Sequence, residues 1–140
     1  MKILDYKLFD AIEEQAKKNP RCRMNYDLRT QAVDEDPDWK DVSQRMLNVM
    51  MVDTVIPIHR HCETTETVIV LRGSGDEVIY DEKGREVERV TLTYGTECCV
   101  VQVPRNAYHT FVPKEDGTVI FEAKDRPYDP DTTEDFLSEK

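Results

Sequence analysis

The sequence predicts an all-β domain with one amphipathic α-helix in front of it. Three observations support this fold class: apolar residues recur at helical spacing near the amino terminus, short stretches with alternating side chains follow, and turn-forming residues separate these stretches. The chain has 140 residues, which is enough for one domain with an apolar core. Many short strands at near-even spacing predict a sandwich or a barrel.

The helix is predicted over residues 3–18, where charged and amide side chains surround a single apolar stripe. The stripe consists of Ile3, Leu4, Leu8, Ile12 and Ala16. The pair Asn19-Pro20 ends the helix, because proline disfavours helical backbone in the residue before it. We therefore expect residues 1–20 to form a helix that packs with its stripe on the outside of the β domain.

Short strands with period-two alternation are predicted along the rest of the chain. The segment Arg21–Leu28 alternates in this way and is typical of an edge strand. Eight further strands are predicted at Gln44–Met51, Val55–His61, Glu66–Leu71, Glu77–Tyr80, Glu86–Leu92, Cys98–Val103, Tyr108–Pro113 and Thr118–Ala123. A tight turn at Asp81–Gly84 joins two of them. We expect residues 21–129 to form the β domain and residues 130–140 a polar tail, either loose or a short closing helix.

The predicted strand Glu66–Leu71 is mostly apolar on both faces, which indicates that both faces are covered. The cover could be the amino-terminal helix, the segment around Met24 or a second subunit. A homodimer is therefore expected as one way to bury this surface.

Charge and composition exclude several classes of function. Acidic residues outnumber basic ones, 29 to 19, giving a formal net charge of -10, whereas a nucleic-acid-binding protein needs a basic surface. The negative charge disfavours binding to anionic membrane surfaces. No apolar run approaches the length of a membrane span, and Met1–Pro20 lacks the apolar core of a signal peptide. The four cysteines form no C-x-x-C pair, which favours a reducing, cytoplasmic location over a disulfide framework.

Three histidines and one glutamate form the most informative pattern. His59 and His61 are one residue apart, so an extended strand places both imidazoles on the same face. Glu66 follows after a turn and can return from the neighbouring strand, and the third histidine of the chain, His109, lies in another strand pattern. Three imidazoles and a carboxylate that converge in a β domain are typical of a divalent metal site.

The spacing of these residues resembles the two sequence motifs of the cupin superfamily. His59-x-His61 followed by Glu66 matches the first motif, and Pro104, five residues before His109, matches the second. The resemblance implies the cupin double-stranded β-helix, a jelly-roll barrel. It also implies that the metal ligands are His59, His61, Glu66 and His109.

Segments outside these motifs resemble the WbuC-type cupin metalloproteins. They are Arg21-x-Arg23-x-Asn25, Gln44-Arg45-Met46, Val70-Leu71-Arg72-Gly73 and Phe121-Glu122-x-Lys124-x-x-Pro127-Tyr128. The resemblance covers about residues 21–129 and implies one metal per barrel and an association with bacterial O-antigen or surface polysaccharide biosynthesis. Asn106 stands where the second cupin motif has glycine, and asparagine tolerates the left-handed backbone that such a turn needs.

Three histidines and one glutamate leave two positions open on a six-coordinate ion, which is typical of catalytic and ligand-binding metal sites. The set suits one divalent ion of Fe, Mn, Ni, Zn or Cu. Our first hypothesis is an enzyme acting on a small polar or anionic sugar-type substrate, such as a sugar phosphate or a nucleotide sugar. The alternatives are a non-catalytic sugar-binding, metabolite-binding or sensor module, and an Fe(II) dioxygenase.

Strand parity and side-chain chemistry give candidates for the rest of the site. The catalytic candidates are Glu122, Lys124 and Gln102, and the substrate-binding candidates are Arg21, Arg23, Arg45, Asn48, Phe111 and Tyr128. Gln102 and Phe111 are expected to point inward, because they share parity with Cys98 and His109. The arginines could bind a phosphate or carboxylate through paired hydrogen bonds, and the alternative for each is a surface ion pair.

Overall fold

The computed structural model describes residues 1–29 and 41–137. In this part of the chain one α-helix, α1 at Tyr6–Lys18, precedes ten β-strands. The strands are β1 Arg23–Asp27, β2 Gln44–Met50, β3 His59–His61, β4 Glu66–Arg72, β5 Ser74–Tyr80, β6 Glu86–Thr93, β7 Val100–Val103, β8 Tyr108–Pro113, β9 Thr118–Lys124 and β10 Thr133–Asp135, with a 3-10 turn at Pro130–Thr132. The predicted all-β domain with an amino-terminal helix is confirmed.

The strands form two antiparallel five-stranded sheets that pack face to face. The first sheet has the order β1-β2-β9-β4-β7, and the second has the order β10-β3-β8-β5-β6. Strands distant in sequence are therefore neighbours in each sheet, as in a jelly roll. This agrees with the fold that the cupin resemblance implies.

Helix α1 covers the outer face of the first sheet. Asp5 caps its first turn by accepting a hydrogen bond from the Leu8 backbone N–H at 3.0 Å. Its buried residues Phe9 and Ile12 pack on a patch of the sheet made by Leu47, Val49 and Val119. The helix therefore covers this face within one chain, and a homodimer stays a prediction. No helix in residues 1–29 or 41–137 is long and apolar enough to cross a membrane.

The predicted helix begins too early, because Ile3 and Leu4 lie before the first turn and are exposed. The capping geometry of Asp5 decides where the helix begins, and Phe9 completes the buried stripe instead. The three buried residues of α1 still follow helical spacing, so the interpretation of an amphipathic helix is correct.

The space between the sheets is apolar at one end and polar at the other. The apolar end consists of Met50, Val68, Val70, Leu92, Phe111 and Ile120. Further along the same strands, the same face carries Asn48 on β2, Glu66 on β4 and Glu122 on β9. The apolar end supplies the core, and the polar end can therefore hold a functional site.

The carboxyl-terminal segment differs from the expected loose tail or closing helix. Strand β10 pairs with β3, so that Thr133 lies opposite His61 and Asp135 lies opposite His59. Backbone hydrogen bonds extend this pairing, from Cys62 N–H to the Thr132 carbonyl and from Phe136 N–H to the Ile58 carbonyl, both at 2.8 Å. A strand this short has no recognisable alternation, and its partner β3 determines its conformation.

Two turn predictions agree with the backbone. Gly84 has a φ angle of 76°, and Asn106 has a φ angle of 68°, in the left-handed region. The Asn106 backbone N–H also bonds the His61 carbonyl at 2.9 Å. This turn thus connects the loop before β8 to strand β3, which holds two of the three histidines.

Candidate metal centre

Strands β3 and β8 bring the three histidines together. His59 and His109 are directly opposite each other in the antiparallel pair, and His61 lies on the same face of β3 as His59. The three ring centroids are 4.4 to 5.5 Å apart. One nitrogen of each ring lies within 4.8 Å of the others, which is close enough for a single ion to contact all three.

The predicted fourth ligand reaches the cluster from the facing sheet, and not from a neighbouring strand of the same sheet. Residues 62–65 cross between the sheets, so Glu66 at the start of β4 points across the barrel. Its Oε2 atom lies 2.9 Å from His61 Nε2, and its Oε1 atom lies 4.0 Å from His109 Nε2. The structure thus places all four predicted ligands in one cluster.

The other ring nitrogens are held by hydrogen bonds that point the Nε2 atoms toward the centre. His59 Nδ1 lies 2.8 Å from the Pro57 carbonyl oxygen, and His109 Nδ1 lies 2.9 Å from that of Ala107. A carbonyl oxygen only accepts, so these Nδ1 atoms carry hydrogens and each neutral ring keeps its lone pair on Nε2. This is the tautomer that a metal ligand requires.

Burial favours the uncharged, ligand-competent form of two histidines. Desolvation lowers the pKa of His109 to about 4, against the opposing effect of the Glu66 charge. Desolvation also lowers the pKa of His59. Both imidazoles are therefore neutral at pH 7, as metal binding requires.

Glu66 is a carboxylate in this environment, although it is only 6% exposed. Burial raises its pKa, but the hydrogen bond from His61 and the electrostatic interactions with His109, His61 and Lys124 outweigh burial and lower the pKa to about 2. The Nζ atom of Lys124 lies 3.8 Å from Glu66 Oε2. The cluster thus combines one anion with the neutral imidazoles of His59 and His109.

These residues fit a divalent metal ion. His109 Nε2 is buried and has no hydrogen-bond partner within the described residues, which is expected for an atom that coordinates an ion. Three imidazole nitrogens and one carboxylate are a ligand set that first-row divalent metals accept.

A cavity of about 450 Å³ opens beside the cluster. Its volume lies in the lower part of the range of roughly 300–1,000 Å³ that is usual for small-molecule sites. The predicted site residues that line it are Arg21, Arg23, Asn48, His59, His61, Glu66, Glu122, Lys124 and Tyr128. Three of the four cluster residues and most of the other candidates therefore share one cavity.

Four predicted site residues do not line the cavity, and one of them is the ligand candidate His109, which is 3% exposed. Gln102 is exposed on the outer face of β7 and donates a hydrogen bond to Thr65 at 3.3 Å. Phe111 points inward as predicted, but it belongs to the apolar end of the barrel. Arg45 lies on the outer face of β2 and binds Asp41 at 2.8 Å, which is the ion pair named as its alternative.

The pairing of β7 explains the error for Gln102. β7 begins at Val100 and not at Cys98, and Gln102 lies opposite Thr67 of β4. Thr67 is adjacent to the inward-pointing Glu66 and so lies on the outer face. Parity counted from Cys98 fails because Cys98 precedes the strand.

Glu122 lies in the wall of the cavity, and its pKa is strongly shifted. The Glu122 side chain is partly exposed to the cavity, and protein atoms surround the rest of it. This desolvation, followed by repulsion from Glu66, raises its pKa to about 8, although Lys124 and Arg23 oppose the shift. At pH 7 the group is mostly a neutral carboxylic acid, which can donate a proton.

Arg21 and Arg23 form a cationic edge of the cavity. Neither belongs to an ion pair in the described part of the chain, and Arg23 Nη1 donates to the Val55 carbonyl at 3.0 Å. Partial burial, followed by repulsion from Arg21, lowers the pKa of Arg23. Two neighbouring guanidinium groups in a protein of net charge -10 therefore keep their binding capacity for an anion.

The structure adds Glu77, Thr133 and Asp135, which sequence reasoning missed. Thr133 and Asp135 line the cavity from β10. Ile79 of β5 pairs with His109, so Glu77, two residues away, points between the sheets. In the sequence, Glu77 looks like a solvent-facing residue of an alternating strand, so its burial has no local signal. The pairing of β10 with β3 has no local sequence signal either.

Solved structures have the same fold. The chain superposes on the capsular polysaccharide assembling protein CapF from Staphylococcus aureus with a TM-score of 0.59 and 21% identity, over 70% of this chain and 27% of CapF. Oxalate decarboxylase from Bacillus subtilis superposes with a TM-score of 0.57 and 18% identity, over 81% of this chain and 27% of the decarboxylase. Oxalate oxidase in complex with the substrate analogue glycolate superposes with a TM-score of 0.58 and 13% identity, over 77% of this chain and 53% of the oxidase.

These neighbours are cupin-fold proteins, and at such identities the likeness supports the fold alone. The chain spans about a quarter of the length of CapF and of the decarboxylase. No protein with a curated description matches this chain.

A family model matches residues 4–92 and carries the description "Domain of unknown function (DUF6016)". The matched segment contains α1 and the strands from β1 to most of β6, and it includes His59, His61 and Glu66. Because the match covers more than half of the chain, the protein belongs to the DUF6016 family.

Proposed function

We propose that this protein is a metal-dependent cupin enzyme that acts on a small anionic sugar derivative in bacterial surface polysaccharide assembly. One observation carries the proposal: a single cavity of about 450 Å³ is lined by His59, His61 and Glu66 and also by Arg21 and Arg23, which form no ion pair among the described residues. A substrate with neighbouring oxygens and an anionic group matches both parts of this cavity.

The metal part of the proposal concerns His59, His61, Glu66 and His109. A divalent ion held by these residues would supply Lewis acidity toward substrate oxygens. The residues of the chain supply the remaining functions. Glu122, protonated at pH 7, is placed to give up a proton inside the cavity, and Lys124 beside Glu66 contributes positive charge.

The anion part of the proposal concerns Arg21 and Arg23. Two guanidinium groups can bind a phosphate through several parallel hydrogen bonds. The cavity volume favours a sugar phosphate over the larger nucleotide sugar. The exposed ring of Tyr128 at the cavity wall adds a surface on which a sugar can pack.

Two resemblances support the polysaccharide setting. The sequence resembles the WbuC-type cupins, and one structural neighbour, CapF, is a capsular polysaccharide assembling protein. The chain covers 27% of CapF, so the reaction of that protein is not transferred to this one. The polysaccharide setting is the reason for testing sugar phosphates as ligands.

The proposal is tested by metal analysis of protein purified without added metal, followed by thermal-shift measurements with a panel of sugar phosphates. We expect about one divalent ion per chain and a rise in Tm with at least one sugar phosphate. Arg23→Gln should reduce that rise, whereas Arg45→Gln, which removes an arginine on the outer face, should keep it. A panel without any shift, or an equal loss in both variants, contradicts the proposed anion site.

Incubation of the metal-loaded protein with the ligand that binds separates an enzyme from a binding module. Mass spectrometry of the sugar phosphate after incubation should reveal a product. Binding without turnover favours the non-catalytic module, and O₂ uptake that depends on Fe(II) favours the dioxygenase. Catalytic activity also requires Glu122, so Glu122→Gln should lose turnover while it keeps the ligand-induced shift in Tm.

A further inference from the structure

Strand β10 brings a hydroxyl group to the back of one metal-type histidine. Thr133 lies opposite His61 in the antiparallel pair of β10 and β3, so the two side chains share a face. Thr133 Oγ1 lies 3.3 Å from His61 Nδ1, the nitrogen that points away from the cluster. His61 is therefore supported by a residue 72 positions later in the chain.

The direction of this hydrogen bond follows from the other contact of the hydroxyl. Thr133 Oγ1 also lies 2.8 Å from the Asp129 carbonyl oxygen, which only accepts hydrogen bonds. The single hydroxyl hydrogen points to this shorter contact. The lone pairs of Thr133 Oγ1 then accept a hydrogen from His61 Nδ1, and the Nε2 atom of His61 faces Glu66 at 2.9 Å.

His61 differs in this respect from the other two histidines. The Nδ1 atoms of His59 and His109 bond carbonyls only two residues earlier in their own loops, at Pro57 and Ala107. Those bonds form wherever strands β3 and β8 form. The bond of His61 instead requires that the carboxyl-terminal segment is docked.

We propose that Thr133 is a positioning residue for the metal centre, and that its hydroxyl orients His61 so that Nε2 is directed at the ion. This inference rests on the metal site proposed above. The carboxyl-terminal strand thereby becomes part of the site, because the affinity for metal depends on it. Hydrogen bonds to the rear nitrogen of a histidine ligand typically change metal affinity by about 10- to 100-fold.

The segment has other anchors, so the hydroxyl can be removed without undocking it. Glu134 accepts hydrogen bonds from Arg60 Nε and Nη2 at 2.8 and 2.6 Å. The Phe136 ring packs edge-on against Tyr108 with centroids 5.4 Å apart. The backbone pairing with β3 is independent of the Thr133 side chain. Thr133→Val should therefore keep the fold and remove only the hydroxyl.

The test measures the affinity of the full chain for Zn²⁺ by competition with a chromophoric chelator. We expect Thr133→Val to bind Zn²⁺ about 10- to 100-fold more weakly than the wild type, and Thr133→Ser to bind within about threefold of it. Thr132→Val is the matched control, because it removes the neighbouring hydroxyl, which lies 3.4 Å from the same Asp129 carbonyl. Urea unfolding confirms that each variant is folded.

A second readout reports on the hydrogen bond itself. In the zinc-loaded protein, NMR should detect a protected Nδ1–H proton on each histidine, and Thr133→Val should expose that of His61 to exchange while those of His59 and His109 persist. Equal zinc affinity of Thr133→Val and the wild type overturns the inference and leaves the metal site intact. An equal loss in Thr133→Ser or Thr132→Val also overturns it. A wild-type protein that takes up no zinc overturns the metal site itself.

Discussion

Glu77 provides a test of the electrostatics inside the barrel, through the substitution Glu77→Gln. The side chain is 3% exposed, and neither carboxyl oxygen has a hydrogen-bond partner among the described residues. Desolvation, followed by repulsion from Glu66 and Glu122, raises its pKa from 4.5 to about 9. The folded protein therefore keeps a proton that the unfolded chain has lost over this pH range.

The sign of the effect follows from proton linkage. Between pH 4.5 and about 9 the folded state binds more protons at this position than the unfolded state, so stability falls as the pH rises. Each pH unit in this window costs about 1.4 kcal/mol. The cost accumulated between pH 4.5 and pH 7 is then about 3 kcal/mol, which is a large part of the stability of a typical domain.

Glutamine has the shape of protonated glutamate and does not ionise, so the variant should escape this cost. We expect the free energy of unfolding of Glu77→Gln to equal that of the wild type near pH 4.5 and to exceed it by about 3 kcal/mol at pH 7. Urea denaturation of both proteins at a series of pH values, with a chelator present, measures the difference. The control is Glu88→Gln, at an exposed position on the paired strand β6.

A difference between Glu77→Gln and the wild type that stays constant from pH 4.5 to pH 7 would refute the reasoning. It would mean that the carboxylate finds a partner or solvent in the folded protein. A rising difference in Glu88→Gln as well would point to a general effect of net charge.

Three further predictions concern packing and metal binding. Phe9→Ala should lower the free energy of unfolding by about 3 kcal/mol in urea titration, because the 4% exposed ring joins α1 to the sheet; a loss below about 1 kcal/mol would contradict this role. Gly75→Ala should destabilise by about 1 to 3 kcal/mol, because the added Cβ would overlap the Phe111 ring, and an unchanged urea midpoint would contradict the close approach. The difference in Tm with and without a chelator measures the metal-dependent stability. This difference should shrink as the pH falls from 8 toward the His109 pKa of about 4, because protons compete with the ion for the Nε2 atoms. A difference that stays constant with pH would exclude histidine ligands.

Local patterns were sufficient to predict the helix, nine of the ten described strands and the centre of the site. Period-two alternation depends only on backbone geometry, so it placed His59 and His61 on one face before any tertiary contact was known. The helix was found in the same way, although its first turn was placed too early because Ile3 and Leu4 continue the stripe beyond the cap at Asp5. Motif spacing then connected Glu66 and His109 to the same cluster.

Predictions of where individual side chains outside the metal cluster lie in the barrel were less successful. Gln102 and Arg45 lie on outer faces, and Phe111 occupies the apolar end of the barrel. Gln102 was misplaced because Cys98, from which its parity was counted, precedes β7, and Phe111 points inward but at the apolar end. The sequence marks neither the first residue of a strand nor the end of the barrel at which a position lies.

The sequence by itself therefore determined the all-β fold, the amphipathic helix and the group of histidines that can hold a metal ion. Only the tertiary structure decided that Glu77 is buried between the sheets and that Thr133 supports His61. Both depend on contacts between residues far apart in the chain. An alternating strand looks the same in sequence whether its polar face meets water or another sheet, and a three-residue strand acquires its role from its partner.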